Sequence, residues 1–181
     1  ESDSPEGRTI LLVSRFLAHL VGLRHRSLHL FLDHHNNSLF QLRSSSKVDS
    51  PMYLDLIVGE HQIGSEPSRE SIQRGCFEEL GLTLDDIEKE DLVDLGGYSY
   101  NEPQNRQDFY NIEYRNVFYG QIKGASISKI RFPDKEVAGI LLISIFEISG
   151  LLKNYHDKIA SGLMGSLHVY LKYRIKKRNP E

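Results

Sequence analysis

Gly59-Glu60-His61-Gln62-Ile63-Gly64-Ser65-Glu66, then seven residues, then Arg74-Gly75-Cys76-Phe77-Glu78-Glu79-Leu80-Gly81-Leu82, is the stretch whose reading decides the fold. Its second half carries helix punctuation from Pro67 to Leu80. Pro67 suits a first turn, where its missing N–H costs nothing. Ile72, Cys76 and Leu80 recur at i, i+4 and i+8 with Phe77 beside them, so one face is apolar. Gly81 follows the last periodic residue, as a C-terminal cap does. On the polar side Arg74 and Glu78 are four apart and share a face as an ion pair, and Glu79 lies about 100° further round. Glu66 sits just before the helix, after a loop flanked by Gly59 and Gly64 that can bend sharply. Carboxylates on a rigid helix facing such a loop make a cage for a hard divalent cation, which takes oxygen ligands and shares them with phosphates. Taken alone, Glu78 and Glu79 read better as exposed helix formers, and Arg74–Glu78 more often as a surface pair.

Outward from the helix the chain is mixed. Ile10–Val13 reads as a short strand, and Arg15–Leu23 as helix or loop. A strand from about Ser27 to Leu32 and a return strand Ser38–Leu42 flank Asp33-His34-His35-Asn36-Asn37, which is turn chemistry. Tyr53–Val58 is a further strand behind the polar loop Arg43–Pro51. After the helix, Asp85–Glu90 reads as loop with a helical turn. Leu92–Tyr100 and Ile112–Ile122 are strands rich in Tyr, Val and Phe around the loop Asn101–Asp108. Ala138–Ile145 is a last strand, and Leu151–Ile159 and Leu163–Ile175 read as helices. Strands with few helices argue an α/β or α+β arrangement.

Bulk properties narrow the function classes. At 181 residues, 39% hydrophobic and 26% charged, the chain is long enough for a core and is not a disordered composition. A formal net charge of −3 gives no field for a nucleic-acid backbone, and the basic run Lys172–Arg178 suits a helix C-terminus. No apolar run reaches the length that spans a bilayer, so neither nucleic acid nor membrane is expected as a partner. One cysteine, Cys76, excludes an intrachain disulfide, and the acidic Glu1–Glu6 lacks the pattern of a signal peptide. Both fit a cytoplasmic protein. Nothing decides between a monomer and a homodimer.

The order of the quoted stretch resembles the Nudix box, G-x5-E-x7-R-E-U-x-E-E-x-G-U with U aliphatic. Glu66, Arg74, Glu78, Glu79, Gly81 and Leu82 match in register, and Gly59 matches with one residue inserted. The resemblance implies a Nudix fold, a mixed β-sheet sandwiched between helices. It would occupy residues 8–181 as one domain with C-terminal helices, behind a flexible terminus 1–7. It further implies metal-dependent hydrolysis of a diphosphate linkage in a nucleoside diphosphate derivative or related small molecule. Mg²⁺ or Mn²⁺ would be held by Glu66, Glu78, Glu79 and Gly59, with Arg74 orienting the glutamates. Two departures stand out: the Glu after Arg74 is Gly75, and Cys76 takes the aliphatic place. The site then has one fewer carboxylate, and a base must come from elsewhere, with Glu113 and Glu60 the candidates by position.

Beyond the box, His25–Leu32, Leu39–Arg43, Lys47, Pro51 and the Gly59/His61 pair resemble Nudix proteins related to isopentenyl-diphosphate isomerase. That branch implies His25, His61, Glu79 and Glu113 as ligands, a set in which imidazole suits Zn²⁺ or Mn²⁺. The branch's catalytic Cys is absent before the Gly-His pair, where Ile57-Val58 stands, which disfavours the isomerase. The plainer readings are a core-edge His25 and a Glu113 on the polar side of a strand. Arg43 and Lys47 would grip a diphosphate or else belong to an exposed loop, and Cys76 reads as a small core residue. The expected functions are therefore a diphosphate hydrolase first, then a diphosphate-binding module that has lost catalysis, then an isomerase-like protein.

Overall fold

The computed structural model describes residues 2–3, 9–47, 49–88, 92–102 and 110–178. The elements run β1 (Ser2–Asp3), β2 (Thr9–Leu11), α1 (Arg15–Val21), β3 (His25–His34), β4 (Asn37–Arg43), β5 (Leu54–Leu56), β6 (Val58–His61), α2 (Ser68–Leu80), β7 (Val93–Glu102), β8 (Asn111–Gln121), β9 (Val137–Ser144), α3 (Ile148–Asn154) and α4 (Ser161–Arg178). Alternation along β3 sets the layers, since successive side chains of a strand point to opposite faces. Leu28, Leu30 and Leu32 join one core with Ile57, Val58 and the α2 residues Ile72, Cys76 and Leu80. Phe31 joins the other with Phe40, Val117, Tyr119, Ile148, Leu163 and Tyr170. The sheet is thus a layer with α2 on one face and α3 and α4 on the other, the α+β sandwich expected.

Among the described residues the sheet has seven strands in the order β5-β4-β3-β8-β7, with β6 added to β3 and β9 to β4. β3 and β8 run parallel, from His25↔Glu113 to Asp33↔Gln121. Along its other edge β3 is shared. Ser27 to Leu30 pair with β6, and Leu32 to His34 pair with β4. The sheet therefore forks. The stretch read as one strand, Tyr53–Val58, breaks at Ile57, because β5 pairs with β4 while β6 crosses to β3.

α2 forms as its pattern dictates. Its buried side includes Ile72, Cys76 and Leu80, and Gly81 closes it at φ +66°, a left-handed conformation that glycine adopts freely. Ile72 is 1% exposed. Ile72→Ala is expected to lower the unfolding free energy by about 2–5 kcal/mol, read by urea denaturation. Pro67 is the residue before the helix rather than its first turn.

Arg15–Leu23 resolves as a helix. Ser14 accepts the Leu17 N–H at its start, and Gly22 ends it at φ +69°. The helix read at Leu151–Ile159 is α3 followed by a 3₁₀ turn at His156–Lys158, and the last helix extends over Ser161–Arg178. Asn101 and Glu102 prolong β7, and the rest of that expected loop lies outside the described residues. So does most of the terminus 1–7, apart from Ser2–Asp3, which pairs with β2. No described helix is long and apolar enough to cross a membrane.

α4 is tied to the sheet by a buried polar cluster. Tyr170 donates its hydroxyl to Asp33 at 2.7 Å and meets the Ser38 hydroxyl. The Arg174 Nε lies 3.0 Å from the other Asp33 oxygen. Asp33 and Tyr170 are fully buried.

Candidate active site

Register alone gathers one set of polar residues. His25 lies opposite Glu113, and Ser27 opposite Arg115, across the parallel pair. Ser27 lies opposite His61, and His29 opposite Gly59, across the antiparallel pair. Directly opposed residues share a face, so these side chains emerge together at the end of the sheet where α4 begins. Ser27, His29, Gly59, His61, Glu113 and Arg115 line a cleft of about 330 Å³ with Ser161 and Gly162 of α4, and Glu60, Glu78 and Glu79 wall its acidic end.

Glu79 reaches that cleft through the fork. Its carboxylate accepts the Gln41 side-chain N–H from β4 at 2.8 Å and the Gly59 backbone N–H from β6 at 3.1 Å. Burial pushes its carboxyl up to about 8, against the pull of those two hydrogen bonds. Glu78, one position earlier, is exposed and borders the same cleft.

The expected Arg74–Glu78 pair is replaced by another. Arg74 lies 2.8 Å from Glu60 and 2.6 Å from Glu66, and it donates to the His61 carbonyl at 3.0 Å. Glu66 is consumed in this bracket, accepting also from the Ile63 N–H at 2.8 Å and the Ser71 hydroxyl at 2.5 Å. The structure thus brings Gly59, Glu78 and Glu79 to one cleft and sets Glu66 behind Arg74, away from the cleft lining. Glu66 holds the loop before α2, because its Oε1 accepts from the Ile63 N–H of the loop and from Ser71 and Arg74 of the helix.

The other end of the cleft is built of histidines. Ligand-capable nitrogens of His19, His25 and His61 all lie within 4.8 Å of one another. His19 Nδ1 meets the Tyr110 carbonyl at 3.0 Å, and His25 Nδ1 meets the Leu23 carbonyl at 2.9 Å. A carbonyl only accepts, so both rings carry a proton on Nδ1 and leave Nε2 to face inward. His25 Nε2 and His61 Nε2 are buried and make no hydrogen bond. Glu113 Oε1 stands 3.8 Å from the first and 3.9 Å from the second. The other Glu113 oxygen is saturated by Ser27 at 2.7 Å and Arg115 at 2.6 Å. Burial acts to raise the Glu113 carboxyl, but the bonded Arg115 guanidinium holds it well below the usual range, while burial lowers His61. Imidazoles clustered in this way, two of them anchored through Nδ1, facing a carboxylate across a gap too wide for a hydrogen bond, suit a borderline cation.

The two residues expected to grip a diphosphate border the cleft but are engaged. Arg43 pairs with Asp55 at 2.8 Å and donates to the Asp49 carbonyl from Nε at 3.1 Å and NH2 at 2.8 Å. Lys47 is paired with Glu136. The cation that the sequence reading missed is Arg115, buried beneath the cleft with its guanidinium 3.5 Å from the Tyr100 ring centroid. His19 was missed too, being on a helix that the sequence left undecided. The i, i+2 spacing of Glu113 and Arg115 in a strand was the available signal for the first, and His19 lying close before His25 for the second. Cys76 is fully buried in the α2 core, and burial pushes its thiol up.

No protein-family model and no curated protein sequence matches the chain. Solved structures do share its fold. DR0079 from Deinococcus radiodurans is 20% identical with a TM-score of 0.60 and covers 83% of each chain. A NUDIX hydrolase from Nitrosomonas europaea is 16% identical with a TM-score of 0.58, covering 83% of this chain and 90% of that one. A bifunctional NMN adenylyltransferase/ADP ribose pyrophosphatase from Francisella tularensis, complexed with AMP and a manganese ion, is 15% identical with a TM-score of 0.50; 86% of this chain matches 41% of it. The fold is that of the Nudix hydrolases.

Proposed function

We propose that this chain hydrolyses a diphosphate linkage in a nucleoside diphosphate derivative or related small molecule, using a divalent cation at the acidic end of the cleft. The observation that carries this reading is Glu79, a buried carboxylate posted through the sheet fork beside Glu78 and Gly59. Burial pushes this carboxyl up to about 8 even with Lys47 acting on it, and a hard cation bound beside it would favour the ionised form. When bound, Mg²⁺ or Mn²⁺ neutralises charge that develops on phosphate oxygens. The protein's own contribution is placement. Gln41 and the Gly59 N–H fix Glu79, and Arg74 fixes Glu60 and the loop through Glu66. Arg115, beside the start of α4, offers a cation to an anionic substrate. Turnover in a panel of nucleoside and isoprenoid diphosphates with millimolar Mg²⁺ or Mn²⁺, lost on chelation, is the expected result. No turnover of any member in either metal counts against hydrolysis and leaves the binding-module reading in its place.

The histidine cluster favours a second reading, an isomerase-like protein with His25, His61 and Glu113 as ligands and His19 completing the set. Against it, no cysteine lines the cleft, since the chain's one cysteine is Cys76 in the core. Deuterium incorporation into isopentenyl diphosphate decides between the two.

A further inference from the structure

Gly75 is buried on α2, and the room a side chain would need there is taken. A Cβ built on it meets Val58 Cγ1 at 2.6 Å and Glu60 Cβ at 3.2 Å, both from β6. The first is closer than side-chain carbons approach and belongs to a stiff, buried β-branched residue, so helix and strand are in contact because position 75 is glycine. Glu60 fills the space from the strand side. One of its oxygens, Oε1, is fixed twice, by Arg74 at 2.8 Å and by the His61 N–H at 2.8 Å. Its side chain borders the acidic end of the cleft with Glu78 and Glu79.

We propose that Glu60 supplies the carboxylate that Gly75 withholds: the acid absent from the helix is carried by the adjoining strand, and positions 58, 60 and 75 form one exchangeable unit of the cation site. This deepens the hydrolase reading and rests on it for the chemistry, but not for the cation. Two consequences follow from the packing. Gly75→Glu alone overpacks against Val58 and destabilises the fold. A triple exchange, Val58→Ala with Glu60→Gly and Gly75→Glu, opens the space and moves the carboxylate back to the helix.

Mn²⁺ titration followed by electron paramagnetic resonance tests this on the whole chain, with thermal unfolding run alongside each variant. Glu60→Gln, which keeps the shape of the side chain, is expected to weaken Mn²⁺ binding by about tenfold or more. The triple exchange is expected to recover most of that loss. Superimposable titrations of the parent and Glu60→Gln overturn the proposal, as a cation held by the histidines alone would produce. A folded triple variant that binds no better than Glu60→Gln overturns the exchange. Glu60-dependent Mn²⁺ binding without turnover of any diphosphate upholds the placement of the carboxylate and removes hydrolysis instead.

Discussion

Glu79→Gln is expected to reduce diphosphate turnover on the order of 100-fold or more, with little change in the unfolding temperature. Glutamine keeps the length and an acceptor oxygen, so the contacts to Gln41 and to the Gly59 N–H are retained in part. What disappears is the negative charge in a buried place, and that charge is what a divalent cation binds. Glu66→Gln provides the contrast. Glu66 accepts from Arg74, Ser71 and Ile63 and lies outside the cleft lining. Its replacement is expected to loosen the loop before α2 and lower the unfolding temperature, with a smaller effect on turnover per folded molecule. Steady-state kinetics and calorimetry on the two variants separate the roles. Full activity in Glu79→Gln, or an equal loss in both without any change in stability, would remove the assignment of Glu79.

Asp33→Ala is expected to destabilise the fold by roughly 3–5 kcal/mol, the cost of leaving a buried partner uncompensated. Asp33 is 0% exposed. Its loss strands the Arg174 guanidinium, otherwise 3.0 Å away, and the Tyr170 hydroxyl, which donates to it at 2.7 Å. At roughly 2–4 °C per kcal/mol for a chain of this size, the melting point falls on the order of 10 °C. Replacing both partners, Asp33→Leu with Arg174→Met, removes the charges together and is expected to recover much of that loss. A single variant that melts within a degree or two of the parent would show that the cluster contributes no net stability.

The parts of the site legible in the sequence were those whose geometry is local. The spacing of Arg74, Glu78 and Glu79, the apolar stripe Ile72-Cys76-Leu80 and the cap at Gly81 are properties of one helix, and a periodicity of 3.6 carries them. Partner choice was not legible. Arg74 has Glu78 one turn away, yet it turns to Glu60 and Glu66 because the loop and β6 close over it. The partners of Glu66, which are Arg74, Ser71 and the Ile63 N–H, were not legible either, since a spacing fixes where a residue sits on the chain but not which way the preceding loop folds. The fork at Ile57 was invisible because an apolar run looks the same whether it pairs with one neighbour or changes neighbours midway. His25, His61 and Glu113 came from family resemblance. Their meeting depends on strand register across distant segments, which no single window contains; Arg115 comes from the same register and His19 from the docking of α1 against Tyr110, without the resemblance to point at either.

That parallel pairing of β3 with β8 has a kinetic corollary. Bringing His25 level with Glu113 closes a loop containing β4, β5, β6, α2 and β7. Non-local closure of this kind is slow, because chain entropy is lost before the ladder repays it. The histidine cluster and the Glu113 carboxylate are therefore expected to come together late in folding. A cation held by that cluster would act as a clasp on the two distant strands and would stabilise the native state by mass action. Chelation should accordingly speed unfolding of this sheet and leave the rate of collapse almost unaltered.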